Sequence, residues 1–366
     1  MKIAIPKYDI NIGSQRIPFF VYKNLLEKYY SVEFVGYDEI KESNIVFVYS
    51  GFKNINTLIA KNKKAKFIMF KPHLEIPIAC SDTSLIKRLL TFIFYFFKIR
   101  FNNEKKNQIE NNSLADLLIC DTPRISRFFS SRGYKTVYCA LIDNFDNKII
   151  SSRNNLDCNK DVFNILFIGN LSHFNSNIAN LIRAISVSNL KNKYNVVINC
   201  LSGKSKNNKI FYKKNKISIN YIEYNDFNLS ELLINCDLGW VPNSYPLSSL
   251  INNNFIKAIF CGGTQYYDIF NLQKFSSNAG RCLIFAQYGI PFLTHPNEET
   301  SFTFNFLNNY SFYESEKELA YHLENFSSKS YRNKVKEILF SNFNYEKFAI
   351  REVGKLYNAI NITTKK

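Results

Sequence analysis

The chain has 366 residues, 46% of them hydrophobic and 16% aromatic, and its 47 Lys and Arg against 30 Asp and Glu give a formal net charge of +17. This composition excludes a globally disordered chain, and the length exceeds one ordinary hydrophobic core, so two α/β domains are expected. The charge implies an anionic partner; the basic residues are scattered and no helix-turn-helix, zinc-finger or RNA-binding signature is present, so an anionic membrane is expected and nucleic acid is not.

The opening MKIAIPKYDI lacks the apolar run and cleavage site of a signal peptide, which predicts a cytoplasmic protein. Lys2 to Ile5 reads as a strand, followed by a loop through Asp9, Asn11, Gly13 and Ser14 and a helix over 17–30. Further strands are predicted at 32–35, 45–49, 66–70, 116–120 and 136–139, with helices such as 53–62 and 123–132 between them. That alternation predicts a parallel, doubly wound sheet.

Within this half, SLIKRLLTFIFYFFKIRF at 84–101 is almost wholly apolar from Leu89 to Phe97 and is flanked by Lys87, Arg88, Lys98 and Arg100. A bilayer-spanning helix needs about 20 residues, so this stretch predicts an interfacial helix whose cations reach lipid phosphates; the alternative is a buried core helix. The polar tract FNNEKKNQIENN at 101–112 reads as an exposed loop, and the turn-rich stretch 143–161 as the interdomain linker.

A second alternation begins with a strand at Asn164 to Ile168, Gly169-Asn170 and a helix over 176–188. Strands follow at 194–201, 217–222, 237–241 and 292–294, with a helix over 226–235. The stretch 316–362 is helical, and its end is expected to cross back to the first domain. The expected architecture is α/β, two Rossmann-like domains facing across a cleft: 1–150, 161–345, and a crossing helix and tail at 346–366. Ligands of such sheets bind at the carboxyl ends of the strands.

One segment carries the most chemistry. KFSSNAGRCLIFAQYGIPFLTHP at 274–296 runs from a polar loop with Lys274, Ser277, Asn278 and Arg281 into an apolar helix that ends at Gly289-Ile290-Pro291. Gly289 suits a left-handed helix end and Pro291 forbids continuation, so a buried strand emerges at Phe292. The helix start in a basic loop favours phosphate. Eight cysteines, at 80, 120, 139, 158, 200, 236, 261 and 282, show no CxxC pair or His cluster, so they read as buried hydrophobes in a reducing compartment and no metal site is expected. Gly203-Lys204 lacks the earlier glycine of a P-loop, 243–273 reads as an insertion beside the site, and His295-Pro296 reads as a turn.

The order FNILFIGNLSHFNSNIANLIRAI, NCDLGWVP, KFSSNAGRCLIFAQYGIP resembles GT-B glycosyltransferases, particularly family 4 and its bacterial surface-polysaccharide relatives. The resemblance implies a two-Rossmann fold and transfer of a sugar from a nucleotide-activated donor to a lipid-linked surface glycan at the cytoplasmic face of the membrane. It implies donor contacts from Lys274, Ser277, Asn278 and Arg281, with Asn170 and His173 beside them in the second domain, and a close backbone approach of Gly13 and Ser14 in the first domain to the donor sugar or acceptor. His73 stands where the family places a sugar-contacting His, and Glu75 and Asp9 are candidate bases. No cofactor or metal is implied, because cations and helix N–H groups neutralise the departing diphosphate and no DxD pair lies in the segment. The chain departs from the family in two places. Ser276 and Ile284 occupy the positions of its glutamate pair, and Gly169-Asn170-Leu171-Ser172-His173 lacks its Arg and Lys, leaving Lys274 and Arg281 as replacements. A sugar-nucleotide epimerase on the same scaffold and a nonenzymatic nucleotide- or glycan-binding relative are the alternatives.

Overall fold

The computed structural model of the protein describes residues 1–8, 16–42, 44–52, 55–72, 93, 103–143, 146–154, 161–203, 208–212, 216–242, 267–268, 273–274 and 279–364. The chain divides into two compact units. The first holds Met1–Ile142 and Glu346–Lys366 together with Asn253–Asn271, and the second holds Asp143–Asn252 and Leu272–Tyr345.

In the first unit, β1 (Lys2–Ile5), β2 (Glu33–Gly36), β3 (Ile45–Tyr49), β4 (Lys66–Phe70), β5 (Leu117–Cys120) and β6 (Thr136–Tyr138) form one sheet in the order β2-β1-β3-β4-β5-β6. All its pairings are parallel. The near-continuous apolar runs IVFVY and KFIMF suit strands covered on both faces, and β4 is buried from Phe67 to Phe70. The predicted helix over 17–30 opens as a π-helical turn, Ile17–Val21, and continues as α1 (Tyr22–Tyr30). Between later strands lie α2 (Ile55–Lys61), α3 (Asn103–Glu110) and α4 (Pro123–Ser130). Thr122 caps α4 by accepting from the Ile125 N–H at 3.1 Å, with Pro123 in the first turn.

The tract 101–112 is not an exposed loop. It contains α3 and the start of a 3₁₀ turn, Asn111–Leu114, and buries Asn111 and Asn112. Asn111 Nδ2 donates to the carbonyls of Ser50 (3.1 Å) and Phe52 (3.3 Å), a tertiary partnership that composition does not reveal.

The C-terminal helix, Tyr345–Thr364, packs on this first unit from Glu346 onward. Its Glu352 is 1% exposed and accepts from the Ala140 N–H at 2.9 Å, while Lys355 (2.7 Å) and Arg351 (3.0 Å) hold its other oxygen. Tyr357 stacks on Tyr30 with ring centroids 4.2 Å apart.

The second unit begins with α5 (Asn147–Asn154), inside the stretch expected to be linker. The helix forms because Ile149 is buried and Arg153 Nη1 donates to the carbonyls of Leu233 (2.6 Å) and Cys236 (2.7 Å). Then come β7 (Val162–Ile168), α6 (Leu171–Val187), β8 (Asn195–Ser202), β9 (Asn208–Tyr212), β10 (Ile217–Glu223), α7 (Asp226–Asn235) and β11 (Leu238–Val241). Two short strands, β12 (Tyr267–Asp268) and β13 (Gln273–Lys274), precede α8 (Gly280–Gln287), β14 (Phe292–Thr294), α9 (Glu298–Thr303), α10 (Glu316–Phe326) and α11 (Lys329–Asn342). The main sheet has the order β14-β11-β7-β8-β10-β9 and is parallel except for β9, an antiparallel edge strand absent from the sequence reading.

Both sheets reverse direction beside their first strand. From β7 the chain builds outward through β8 and β10, then returns to place β11 on the other flank; β1 is likewise flanked by β2 and β3. Ligands of open α/β sheets bind outside the carboxyl ends at such a switch point. In the second unit that point lies where β7 gives way to Gly169 and β11 to Pro242. Among the described residues, no helix is long and apolar enough to cross a membrane. The stretch 84–101 lies outside the described residues except for Ile93.

Candidate functional site

Two sequence features seat α8 at the switch point. The Gly289 N–H donates to the Ala286 carbonyl (3.1 Å) and the Ile290 N–H to the Phe285 carbonyl (3.0 Å), with Gly289 at φ 62°. This is the paired bonding of a Schellman end, as the Gly-Ile-Pro signal predicts, and it sends Phe292–Thr294 into the sheet beside β11. Across the helix, Gly239 of β11 lets the Phe285 ring approach, since a Cβ there would lie 2.5 Å from its Cδ2. From Cys282 to Gln287 every residue of α8 is buried; Gly280 and Arg281 in its first turn are partly exposed.

Arg281 therefore stands at the carboxyl edge of the sheet. Its Nη1 is 3.3 Å from where a Cβ on Gly169 would sit, and its guanidinium lies 5.8 Å from the centroid of Phe167 on β7. Directly after Gly169, the Asn170 carbonyl accepts from the His173 (3.0 Å) and Phe174 (3.3 Å) N–H groups and so opens α6. The first N–H groups of a helix have no intrahelical acceptor, and the dipole concentrates positive charge there. A guanidinium beside that helix start makes an electropositive corner suited to a phosphate or diphosphate.

An aromatic floor supports the corner. Phe167, Phe174 and Trp240 pack with centroids 5.3 to 6.1 Å apart, and Trp240 Nε1 donates to Tyr313 Oη at 3.0 Å. The Tyr313 ring lies 4.4 Å from that of His295. His295, in the connection after β14, is 8% exposed and part of the floor of the unit, and burial pushes its pKa down to about 4, against a weaker upward pull from Glu318. It is neutral at pH 7 and contributes hydrogen-bonding capacity rather than charge. The sequence pattern gave no cue to its burial, because His-Pro after a short strand reads as a turn.

Of the predicted site residues, the structure brings Arg281 to the Gly169-Asn170 turn and sets His173 in the first turn of the adjoining α6. Lys274 lies in β13. Ile284, at one of the two positions where glutamates were expected, is 8% exposed in the packed face of α8. Asp9, Gly13, Ser14, His73, Glu75, Ser277 and Asn278 lie outside the described residues, as do the P-loop-like Lys204 and most of 243–273.

A second cleft in this unit, lined by Arg153, Asp237, Lys329, Arg332, Asn333 and Lys336 among others, sits at the amino ends of β7 and β11. Its arginines are bound to main-chain carbonyls, Arg153 as above and Arg332 to Phe326 at 2.5 Å, and Asp237 accepts from the Asn164 N–H at 2.8 Å. These contacts tie helices and strands together, and the cleft lies at the sheet end opposite the switch-point corner. The described cysteines, Cys120, Cys139, Cys200, Cys236 and Cys282, are all buried. Burial raises their pKa values, to about 12 for Cys200, Cys236 and Cys282, so they remain protonated thiols.

No family model matches the chain. No curated protein matches it either. Among solved structures it is similar to the E. coli trehalose-6-phosphate protein bound with UDP-2-fluoro glucose, with a TM-score of 0.56 and 9% identity over 100% of this chain and 99% of that one. The lipopolysaccharide outer core galactosyltransferase WaaB in its apo form matches with a TM-score of 0.50 and 10% identity over 98% of this chain and 99% of that one. The pneumococcal O-GlcNAc transferase GtfA in complex with UDP and GlcNAc matches with a TM-score of 0.50 and 11% identity, covering 90% of this chain. The chain spans 59% of the GtfA chain. These likenesses bear on the fold, which is α/β with two Rossmann-like units, as in GT-B glycosyltransferases.

Proposed function

We propose that the protein is a GT-B glycosyltransferase that moves a sugar from a nucleoside-diphosphate donor to a lipid-linked surface glycan. The observation that carries this reading is the corner at the β7/β11 switch point, where the Arg281 guanidinium lies against Gly169 at the start of α6. In the transfer, the acceptor hydroxyl oxygen bonds to the anomeric carbon, the bond from that carbon to the diphosphate oxygen breaks, and the hydroxyl proton passes to a base. Negative charge grows on the departing diphosphate, and fixed cations and helix N–H groups stabilise it there without reorganising. Arg281 takes that role, with Lys274, Ser277 and Asn278 from the preceding segment and Asn170 and His173 from the α6 start completing the donor site.

On this reading, residues 161–345 bind the donor and 1–150 the acceptor, with Gly13 and Ser14 approaching the sugar or acceptor, His73 contacting the donor sugar, and Glu75 or Asp9 supplying the base. The helix over 84–101 holds the protein on the anionic inner face of the membrane. The UDP ligands of two of the similar proteins and the lipopolysaccharide substrate of the third support a nucleotide-sugar donor and a surface-glycan acceptor.

The test is incubation with a panel of nucleotide sugars, with and without lipid extract of the native host, while nucleoside diphosphate release is measured. A transferase releases diphosphate from one donor and does so faster with extract. Conversion of the donor sugar without release identifies an epimerase, and binding without turnover a nonenzymatic relative; either result overturns the proposal.

A further inference from the structure

The turn that follows β3 is held from several sides. The Ser50 N–H donates to the Phe70 carbonyl of β4 at 3.3 Å, and the Phe52 N–H to the Tyr49 carbonyl at 3.0 Å. Asn111, 7% exposed, reaches over from the end of α3 to donate to the Ser50 and Phe52 carbonyls. Gln108 borders the same turn, its Nε2 lying 3.6 Å from where a Cβ on Gly51 would sit. These contacts fix Ser50–Phe52 at the carboxyl edge of the first sheet, the edge at which open α/β sheets bind ligands.

Between this turn, the start of α2 and the second half of α3 lies a cleft of about 380 Å³. Small-molecule sites span about 300 to 1,000 Å³, so the cleft has room for a ligand of one or two rings. Its polar lining is Ser50, Asn56, Asn107, Gln108, Glu110 and Asn111. Asn56 and Asn107 are exposed, and among the described residues neither their amides, nor Ser50 Oγ, nor Asn111 Oδ1 makes a hydrogen bond. Each amide offers donors and an acceptor in one plane, and a hydroxyl offers both as well. That set matches the adjacent hydroxyls of a pyranose, each of which also donates and accepts. Half-buried Phe52 supplies an apolar wall for the C–H face of such a ring. Its own ring is held edge-on by Tyr37 (5.6 Å between centroids) and Tyr49 (6.3 Å). No lysine or arginine lines the cleft among the described residues, and Glu110, loosely paired with Lys106 at 4.0 Å, gives it an anionic edge. A phosphate or carboxylate ligand finds no counter-charge in this lining.

We propose that this cleft binds an uncharged sugar unit of a glycan: Ser50, Asn56, Asn107 and Asn111 bond to its ring hydroxyls, and Phe52 takes its carbon face. The site is separate from the diphosphate corner of the second unit and differs from it in chemistry, amides and an aromatic ring standing here in place of a guanidinium. Its link to transfer, as the place where a neutral unit of the acceptor is held, rests on the proposed transferase reading, in which residues 1–150 receive the acceptor. The binding itself does not.

Saturation-transfer NMR of the whole protein with a panel of uncharged di- and trisaccharides of glucose, galactose, mannose and N-acetylglucosamine tests the site without requiring turnover. At least one member of the panel binds, UDP does not displace it, and its counterpart carrying a uronic acid binds more weakly. Asn56→Ala combined with Asn107→Ala removes two exposed amides, so the melting temperature holds while affinity for the bound sugar falls about tenfold, the effect of one neutral hydrogen bond lost from each. Hydrogen exchange on the native protein gives a readout that needs no variant: the bound sugar slows exchange in the peptides containing Gly51–Phe52 and Gln108–Asn111. Binding by no uncharged sugar, displacement by UDP, equal or tighter binding of the uronic acid, unchanged affinity in the double variant, or unchanged exchange in those peptides overturns the assignment. Failure of the transferase reading appears separately, as absence of nucleoside diphosphate release from any donor.

Discussion

Replacing Arg281 with Ala removes the guanidinium from the corner and leaves the α6 start in place. The expected loss follows from the position of the group. It is partly exposed and lies against Gly169 and the Phe167 ring, so it is neither screened like a surface lysine nor fully desolvated. At about 4 Å and an effective dielectric near 20, its attraction for one phosphate charge has an upper bound of about 4 kcal/mol. The net contribution of a hydrogen bond to a charged group is about 1.5 to 3 kcal/mol, which corresponds to a loss of about 10- to 150-fold in affinity. Calorimetric titration of UDP into the native protein and the variant measures that ratio, and uridine serves as the control lacking phosphate. Arg281→Lys retains the charge but not the planar fork, so its UDP affinity falls between the two. Equal UDP affinity in native and Ala proteins, or an equal loss for uridine, refutes the reasoning.

Three other perturbations probe the frame around the site. Gly239→Ala puts a Cβ 2.5 Å from the Phe285 ring, so α8 must shift; an overpacking cost of about 1 to 3 kcal/mol should lower the melting temperature and weaken UDP binding together. Glu352→Ala strips the Ala140 N–H and two cations of a carboxylate that is 1% exposed, and should cost about 3 kcal/mol in a urea titration, with the C-terminal helix losing amide protection first. For His295, the folded pKa of about 4 lies below the ordinary 6.5, so the unfolded chain binds more protons between those values. Its contribution to stability is complete above pH 6.5 and is lost as pH falls toward 4; urea titrations across that window should show the decline, and His295→Gln should flatten it.

The sequence made the alternation of strands and helices legible because its apolar runs are long and its breakers well placed, as at Gly289-Ile290-Pro291, where the helix end has the predicted bonding. The segments misread share one cause. Asn111 looks like loop material until its amide is bonded to Ser50 and Phe52, more than fifty positions earlier. The helix over Asn147–Asn154 is fixed by Arg153 reaching carbonyls in the last turn of α7 and just after it, and β9 is a strand through pairing with β10. Tertiary partners decide such places, and local propensity carries no trace of them. The site divides in the same way. Arg281 stood out as a cation at a helix start, but its closeness to Gly169, over a hundred residues earlier, belongs to the fold.

The central claim is that the corner between Gly169 and Arg281 holds the donor diphosphate. A crystal structure of the protein soaked with UDP tests it most directly. The account predicts diphosphate oxygens within hydrogen-bonding distance of the Arg281 guanidinium and the first N–H groups of α6. A nucleotide seated instead at the amino ends of the strands, in the cleft of Arg153 and Lys329, would contradict it.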